Sequence, residues 1–300
     1  MDRFSSLKIF VAVGEEQSFA AAARRLALSP PAVTRAVSAL EQALGVKLLQ
    51  RTTRIVRLTE TGARYLLDCK RVLSELEDAD QAASGAQAEV RGTLAITASV
   101  LFGRAFVAPL LHAFLERHEK INLRALFVDR VVDLIEEGLD VAVRIAHLSD
   151  SSLTAIRVGA VRNVVCASPA FLKRHGVPRT PEDLRELSAF CFSADRSPPA
   201  WSFQLGKRTL SVRPSARLVV NSPEIAMQGA VAGQGVTRVL SYQAASELKA
   251  GRLRVILSEF EPEPIPIHVI HREGKRAAAR VRAFVDFAVS ELRNSPLLKS

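Results

Sequence analysis

The sequence predicts an α/β protein with a helical N-terminal domain, a long linker helix and a two-lobed α/β domain. Three observations predict this architecture. The first 90 residues show almost continuous helical periodicity, interrupted by one strand-like run at 51–58. Beyond Gly92, strand-like runs alternate with helical patterns, which is typical of β-α-β units and a mostly parallel sheet. A late strand (267–271) and helix (278–292) resume that pattern, so we expect the chain to cross twice between two lobes.

Composition indicates a globular protein, and the net charge makes a polyanionic partner one to consider. The chain has 300 residues, of which 48% are hydrophobic and 24% charged, and its formal net charge is +10. That length suits two domains at about 150 residues each, and that charge makes a nucleic acid a partner to consider. The apolar stretch at 101–115 is broken by Arg104, so it does not predict a membrane span. No secretory pattern is present, and we expect a cytoplasmic protein.

The N-terminal segment begins with two closely spaced helix signals. Ser18 is placed to cap a helix over 19–26, and Ser29 to cap a second helix whose first residue is Pro30. Only Ala27 and Leu28 separate the two.

In the second helix an apolar stripe alternates with a polar one. The apolar residues, which we expect to be buried, are Val33, Ala36, Val37, Leu40 and Leu44. The opposite face carries Pro31, Thr34, Arg35, Ser38 and Gln42. This pattern indicates a helix-turn-helix whose second helix enters the DNA major groove, with Arg35 on a guanine edge or a phosphate. A three-helix bundle with a solvated polar face is the alternative.

A basic strand-like run follows and favours the DNA-binding interpretation. Arg51, Arg54 and Arg57 are spaced along it, as in a wing that lies on the phosphate backbone. Residues 1–60 carry nine basic and five acidic side chains, whereas 61–92 carry four and six, so the basic surface ends with the wing. One of the three arginines could instead brace the wing.

The linker helix carries an apolar seam. Thr59 is placed to cap it, with Glu60 in its first turn. The seam residues, at a/d spacing, are Leu66, Cys69, Leu73, Leu76 and Ala83. We expect this seam to pair with a partner helix in a dimer; packing on its own domain is the alternative.

The remaining chain yields two sets of strands. Predicted strands at 94–98, 123–128 and 141–145 alternate with helical runs at 106–117 and 131–137. A second set covers 163–266 and includes a hairpin around Gly206 and Lys207. Gly233 is expected to close a helix. The predicted domains are 1–59, 60–92 and 93–300, with one lobe at 93–162 and 267–300 and the other at 163–266.

These patterns together resemble LysR-type transcriptional regulators over essentially the whole chain. The resemblance lies in the capped helix pair, in L-G-V-x-L-x-x-R ending at Arg51, and in R-L-T-E-x-G at 57–62; the stretches from Asp140 and from Cys166 resemble the family's effector domain. It implies a periplasmic-binding-protein-like effector domain, a small metabolite bound between the lobes, a homodimer or homotetramer, and double-stranded DNA and RNA polymerase as partners. From the sequence we also expect no cofactor, no metal and no membrane partner.

An effector site is predicted where the strands end. Ligands of open α/β sheets bind beyond the carboxyl ends of the strands, where helix N-termini favour anions. The residues delivered there are Ser99, Val100, Arg144, Ala146, Asn221, Ser222 and Thr237, with Arg238 beside the last. Hydroxyls with an arginine suit the carboxylate of a small organic acid. The alternative to a ligand role for Arg144 is an internal ion pair with Asp129 or Asp150.

Other functional classes lack support in the sequence. The six histidines form no H-E-x-x-H metal-binding motif, and neither the G-x-S-x-G motif of hydrolases nor a nucleotide-binding P-loop is present. The sequence therefore does not indicate an enzyme. A solute-binding protein would need export and has no use for a basic winged helix. Cys69, Cys166 and Cys191 form no C-x-x-C and are expected to be buried hydrophobes. An effector-free or redox-responsive DNA-binding protein of the same fold remains the alternative.

Overall fold

The structure is a computed structural model that describes residues 2–51, 56–83, 90–148, 153–193, 197–272 and 277–299. Backbone contacts divide the chain into two compact units. The first comprises Met1–Val90 with Val132–Leu139, and the second comprises Arg91–Val131 with Asp140–Ser300.

In its described residues, the first unit contains four helices and a two-stranded hairpin. Its elements are α1 (Arg3–Glu16), α2 (Phe19–Arg25), α3 (Pro30–Leu44), β1 (Leu49–Arg51), β2 (Val56–Leu58) and α4 (Glu60–Ala83). Its core centres on α1, whose Phe10 and Val13 are fully buried, and α2, α3 and α4 all pack on this helix. The order of elements is the one that the sequence predicts.

The seam of α4 packs differently from the prediction. Leu66, Cys69 and Leu73 are buried in the core of their own unit, together with residues of α1. The expectation that the whole seam pairs with a partner helix is therefore wrong for this half, because α1 already covers it. Leu76 is half-buried, and the side chain of Ala83 lies outside the described residues.

The second unit begins with a five-stranded sheet of order β4-β3-β5-β14-β6. Its strands are β3 (Gly92–Ala98), β4 (Ile121–Phe127), β5 (Val141–Ile145), β6 (Thr154–Val161) and β14 (Ile265–His271). The helices of this lobe are α5 (Val100–Phe102), which continues through a π-helical turn (Gly103–Val107) into α6 (Ala108–Arg117), and the C-terminal α10 (Ala279–Asn294). A 3-10 turn at Pro296–Leu298 follows.

The other lobe holds a second five-stranded sheet, of order β11-β8-β12-β7-β13, and a separate hairpin. The sheet consists of β7 (Asn163–Ala167), β8 (Ser188–Phe192), β11 (Ser215–Val220), β12 (Val236–Leu240) and β13 (Arg254–Ile256). The hairpin pairs β9 (Trp201–Leu205) with β10 (Arg208–Val212) across Gly206 and Lys207, as predicted. The helices are α7 (Pro169–His175), α8 (Pro223–Val231) and α9 (Ser241–Lys249), with 3-10 turns at Pro181–Arg185 and Ser258–Phe260.

Both sheets are mixed, which corrects the expectation of a mostly parallel sheet. In the first sheet β14 runs antiparallel to both of its neighbours, and in the second β7 does the same. Each of these strands is the first that the chain forms on entering a lobe from the other lobe. Their reversed direction is therefore a consequence of the two crossings that the sequence does predict.

Two predicted helical runs also differ from the structure. The run at 131–137 is a turn: the Asp133 carboxylate accepts the N–H groups of Ile135 and Glu136, and Gly138 has φ of +62°. A side chain that bonds its own backbone competes with helix formation. The helix predicted at 106–117 begins already at Val100, because the π-helical turn joins the two helical segments. No helix in the part of the chain that the structure describes could span a membrane.

Candidate functional site

The two serine caps of the helix-turn-helix are present. The Ser18 hydroxyl accepts the N–H of Ala21 at 3.2 Å, and the Ser29 hydroxyl accepts the N–H of Ala32 at 3.4 Å. Between the two helices Ala27 adopts a left-handed conformation with φ of 52°. This tight turn directs α3 away from α2 after only a few residues.

The polar stripe of α3 lies on the accessible face of the helix. Val33, Ala36, Val37 and Leu40 are buried in the core of the first unit. Of the residues predicted to face DNA, Pro31, Arg35 and Ser38 are exposed and Thr34 is half-buried. The structure therefore brings these four residues together on one helical face, and their contact with DNA stays a prediction.

The predicted wing is an antiparallel hairpin. Gln50 pairs with Arg57 and Arg51 with Val56, and both Gln50 and Arg57 are exposed. Arg54 and the side chain of Arg51 lie outside the described residues. Arg57 is therefore accessible, and its contact with the phosphate backbone stays a prediction.

A buried carboxylate that the sequence analysis did not single out connects α3 to the wing. Glu41 is 3% exposed, and one of its oxygens accepts the backbone N–H groups of Leu48 and Leu49 at 2.9 and 3.0 Å. Its other oxygen accepts the Lys47 ammonium at 2.9 Å. Burial alone would raise the pKa of Glu41, but the bonds from Lys47 and the two N–H groups outweigh it and lower that pKa.

The start of α4 is fixed against the same strand. The Thr59 hydroxyl accepts the N–H of Gly62 at 2.9 Å, which confirms the predicted cap, and donates to the carbonyl of Lys47 at 2.8 Å. A Cβ on Gly62 would lie 1.9 Å from the carbonyl oxygen of Leu48. Only glycine allows this approach, so the T-E-x-G run positions the wing against the linker helix.

In the second unit, the first predicted effector residues meet an internal carboxylate. Ser99 precedes α5, and the N–H of Val100 donates to Oδ1 of Asp129 at 3.0 Å. One N–H group of the N-terminus at which an anionic ligand was expected is therefore already bonded to a carboxylate of the protein.

Arg144 is engaged with its own lobe. Its guanidinium donates to the Thr97 hydroxyl at 2.8 Å and to the carbonyl of Val128 at 3.2 Å. Asp150, one predicted ion-pair partner, lies outside the described residues. Ala146 is half-buried, and its N–H donates to the carbonyl of Pro266 at 3.1 Å. These contacts connect β5 to its neighbours.

The three predicted residues of the second lobe have different environments. Asn221 is exposed, and the Ser222 hydroxyl caps α8 by accepting the N–H of Ile225 at 3.4 Å. Thr237 is fully buried, and its hydroxyl donates to the carbonyl of Phe190 at 2.8 Å. A side chain so enclosed supports the sheet rather than offering its hydroxyl to a ligand.

A cavity of about 610 Å³ opens between the two lobes of this unit. Leu101, Arg104 and Ala105 line it from the first lobe, and the second lobe contributes ten residues from α8, from α9 and at Arg252. None of the seven predicted effector residues lines it. Sequence reasoning missed it because its walls are helix faces rather than strand ends.

Charged and aromatic pairs border this cavity. Arg104 of the first lobe forms an ion pair with Glu224 of the second. The Tyr242 ring lies 5.5 Å from that of Phe102 and 5.6 Å from that of Phe106, both edge-on. Burial raises the pKa of Tyr242 to about 12, so the phenol is neutral.

The three cysteines are buried thiols. Burial raises the pKa of Cys166 to about 12, and those of Cys69 and Cys191 to about 11. Thiolates are the reactive form, so these environments suit small buried hydrophobes. Over the described ranges, no three His, Cys, Asp or Glu side chains gather as metal ligands would.

Comparisons with known families cover both units. Residues 4–63 match the bacterial regulatory helix-turn-helix family described as lysR, and residues 87–293 match the LysR substrate binding domain. The chain is 32% identical over 289 residues to the transcriptional activator AaeR of Escherichia coli K12, covering 95% of this chain and 93% of that protein.

Two further proteins resemble the chain over nearly its whole length. It is 35% identical over 289 residues to an HTH-type transcriptional regulator of Xanthomonas campestris, covering 95% of this chain and 84% of that protein. The solved structure of CrgA, a LysR-type regulator from Neisseria meningitidis, matches with a TM-score of 0.61 and 32% identity, covering 97% of this chain and 99% of that one.

Proposed function

This chain belongs to the LysR family of bacterial transcriptional regulators, and on that premise we propose how it binds DNA and which effector controls it. In the proposal, α3 enters the major groove, the wing arginines contact phosphates, and a small organic acid bound in the second unit sets the regulatory state. The domain limits that go with it are 1–59, 60–92 and 93–300.

The face of α3 is the observation that carries the DNA-binding proposal. One side of this helix is buried in the core. The other side carries Pro31, Thr34, Arg35 and Ser38 together. A helix with such a face fits the major groove, where side chains reach base edges. Arg57 on the adjacent hairpin supplies charge without a reading surface.

Salt-dependent binding tests this proposal. The full chain should retain duplex DNA, and the logarithm of its affinity should fall linearly with the logarithm of the salt concentration. Selection from random duplexes should yield a two-fold-related sequence, as a symmetric dimer requires. Binding that is indifferent to salt, or a selected pool without sequence preference, would contradict it.

Charge supports an acidic effector. Residues 93–300 carry 28 basic and 20 acidic side chains, so this part supplies most of the chain's net charge of +10. A positive domain raises the local concentration of anions. An effector acts by binding two conformations of the protein with different affinities. A thermal-shift screen of metabolic acids against neutral compounds tests this step, and stabilisation only by neutral compounds would contradict it.

A homodimer or homotetramer and a contact with RNA polymerase complete the proposal. Because Leu66, Cys69 and Leu73 are covered within one chain, the dimer contact falls on the rest of α4.

A redox-responsive regulator of the same fold is less well supported, since burial keeps all three thiols protonated.

A further inference from the structure

The two segments that cross between the lobes lie side by side. Arg162 is the single residue between β6 of the first lobe and β7 of the second, so it forms the first crossing. The return crossing begins at Glu261, directly after a 3-10 turn of the second lobe, and ends at Ile265, the first residue of β14. Ile265 pairs with Val161. A rotation of one lobe relative to the other would therefore turn about these two adjacent segments.

An ion pair joins the two crossing segments. Nη1 of Arg162 donates to Oε2 of Glu261 at 2.9 Å. The backbone of Arg162 is bonded to the start of α9, because its N–H donates to the Ser241 hydroxyl at 3.2 Å and its carbonyl accepts the N–H of Ser241 at 2.8 Å. The ion pair thus connects the return crossing to a residue whose own backbone is already fixed on the second lobe.

The carboxylate of Glu261 is enclosed and only half satisfied. Its side chain is 10% exposed, against 45% for Arg162. Its second oxygen, Oε1, is buried and accepts no hydrogen bond from the residues that the structure describes. Buried polar groups are normally hydrogen-bonded, and an unsatisfied charged acceptor is costly. The charge of Glu261 therefore depends on its bond to Arg162.

Burial and Arg162 act on this carboxyl group in opposite directions. Burial raises the pKa of Glu261, because the ionised form loses its hydration. The Arg162 guanidinium lowers that pKa in part, through attraction and through its hydrogen bond. The net pKa lies above the ordinary value of 4.5. Glu261 therefore takes up a proton at a higher pH than an exposed glutamate does.

The other titratable groups around the crossing are neutral or exposed. On β7 the Cys166 thiol is influenced by the charge of Glu261, but its pKa of about 12 keeps it neutral. At the start of α9 the Tyr242 phenol also has a pKa of about 12. Glu263, on the return crossing, is exposed. On β14 burial lowers the pKa of His268. Protonation of Glu261 is therefore the charge change that breaks the ion pair between the crossing segments.

We propose that the ion pair of Arg162 and Glu261 is a pH-sensitive latch at the hinge between the lobes. While Glu261 is ionised, the latch connects the two crossing segments. When Oε1 takes a proton from solvent, the Arg162 side chain is released and the lobes change their relative position. This inference goes beyond the proposed effector, because the signal is a proton and does not depend on which small molecule binds.

A distance between two labels, one on each lobe, tests the inference in the full chain. Glu116→Cys on α6 and Lys207→Cys on the hairpin introduce thiols at exposed positions. The three native cysteines are buried, so they react slowly with a label. Labelled protein is diluted with an excess of unlabelled protein, so that the distance is measured within one subunit. The measurements cover the range from about pH 4.5 to about pH 8.

Four variants isolate the latch. Glu261→Gln fixes the neutral form, Arg162→Met removes the cation, and Arg162→Lys keeps it. Glu263→Gln removes an exposed carboxylate from the same crossing segment and is the matched control. Melting temperature and affinity for a duplex selected from random sequences are measured for each variant. Residues 1–90 contain no histidine, so the DNA-binding unit changes its charge little above about pH 5.

If the inference is right, the label distance in the wild type changes with pH, with a one-proton midpoint above 4.5. Glu263→Gln and Arg162→Lys titrate like the wild type, whereas Glu261→Gln and Arg162→Met have the acid distance at every pH. The DNA affinity of the wild type changes about threefold or more over the range, and that of Glu261→Gln changes less.

Stability gives an independent check on the same proton. Because the pKa of Glu261 is raised in the folded chain, the ionised carboxylate lowers stability above the folded value, and this loss disappears as the pH falls towards 4.5. Glu261→Gln should therefore melt higher than the wild type near pH 8, and the difference should shrink on acidification.

Three results would overturn the inference. They are a label distance in the wild type that stays constant over the range, the same titration in the wild type and Glu261→Gln, and a distance change with no change in DNA affinity. If Glu261→Gln does not fold, the comparison of Arg162→Met with Arg162→Lys decides between the same outcomes. DNA binding by the wild type near pH 8 tests the proposed function separately, so its failure is distinguishable from failure of the latch.

Discussion

The carboxylate of Glu41, near the end of α3, accepts the backbone N–H of Leu48 at 2.9 Å, directly before the first strand of the wing. Leu49 donates to the same oxygen at 3.0 Å. One buried side chain therefore fixes the helix that presents Arg35 relative to the hairpin that presents Arg57. The relative position of these two elements determines whether both reach one DNA duplex.

Glu41→Gln should destabilise the first unit and weaken DNA binding. The amide keeps an acceptor for the backbone N–H groups but loses the charge, and hydrogen bonds to charged groups contribute about 1.5–3 kcal/mol each. We expect a loss of ~2 kcal/mol in the free energy of unfolding, measured with urea. Lys47→Met is the matched control: the Lys47 side chain is 79% exposed, so its removal should cost less than about 1 kcal/mol.

The lowered pKa of Glu41 also predicts how the stability of the protein depends on pH. The pKa of Glu41 is lower in the folded than in the unfolded chain, so its contribution is fully present above the ordinary value of 4.5. It is lost as the pH falls through the lower folded value. The stability difference between wild type and Glu41→Gln should be constant near neutral pH and shrink below pH 4.5. A difference that grows on acidification would contradict this.

Gly62→Ala should destabilise the protein although alanine is the better helix former. Glycine to alanine ordinarily stabilises a helix by about 1 kcal/mol. Here the new Cβ would lie 1.9 Å from the carbonyl oxygen of Leu48, and backbone cannot give way as a flexible side chain can. We expect a net loss of about 2 kcal/mol or more in urea unfolding. Ala63→Gly, at the exposed neighbouring position, should cost only about 1 kcal/mol.

The features that the sequence predicts correctly are local. The caps at Ser18 and Ser29 and the hairpin at Gly206 follow from residues within a few positions of one another. The role of Glu41 is not local, because its partners lie seven and eight residues further along the chain. In the sequence, a buried glutamate in a helix looks the same as an exposed one.

Periodicity shows that a face is apolar but not what covers it. Leu66 and Leu73 have the spacing of a coiled-coil seam, yet α1 of the same chain covers them. The effector residues show the same limit. Arg144 and Thr237 donate to Thr97 and Phe190, which lie on neighbouring strands, and the sequence does not show which strands are neighbours in the sheet.

Arg35→Ala should relax sequence preference. Arg35 is exposed on the free face of α3, where a guanidinium can make a bidentate contact with guanine. We expect a loss of ~1–3 kcal/mol in specific binding and a relaxed preference at one operator position. Arg35→Lys keeps the charge and should lose the preference while retaining most non-specific affinity. An unchanged selected sequence would remove Arg35 from base readout.

Arg57→Gln should weaken binding to all DNA sequences alike. Arg57 lies on the exposed face of the hairpin, beside Gln50, and a phosphate contact carries no sequence information. Loss of one such contact should reduce the salt slope of log K by about 0.9. Arg51→Gln and Arg54→Gln are expected to act similarly. A variant that melts lower but keeps the salt slope would instead identify its arginine as a brace of the wing.

Two substitutions on α4 separate folding from assembly. Leu73 is buried in the core of the first unit, so Leu73→Asp places an unpaired charge there and should unfold that unit and abolish DNA binding. Leu76 is half-buried and outside that core, so Leu76→Asp should leave the unit folded and weaken the dimer, with loss of the dimer peak in sedimentation velocity. Leu67→Asp, at a position 44% exposed on the opposite side of the helix, is the control. If Leu76→Asp sediments as the wild type while Leu67→Asp dissociates, the dimer contact lies on the face of Leu67 instead.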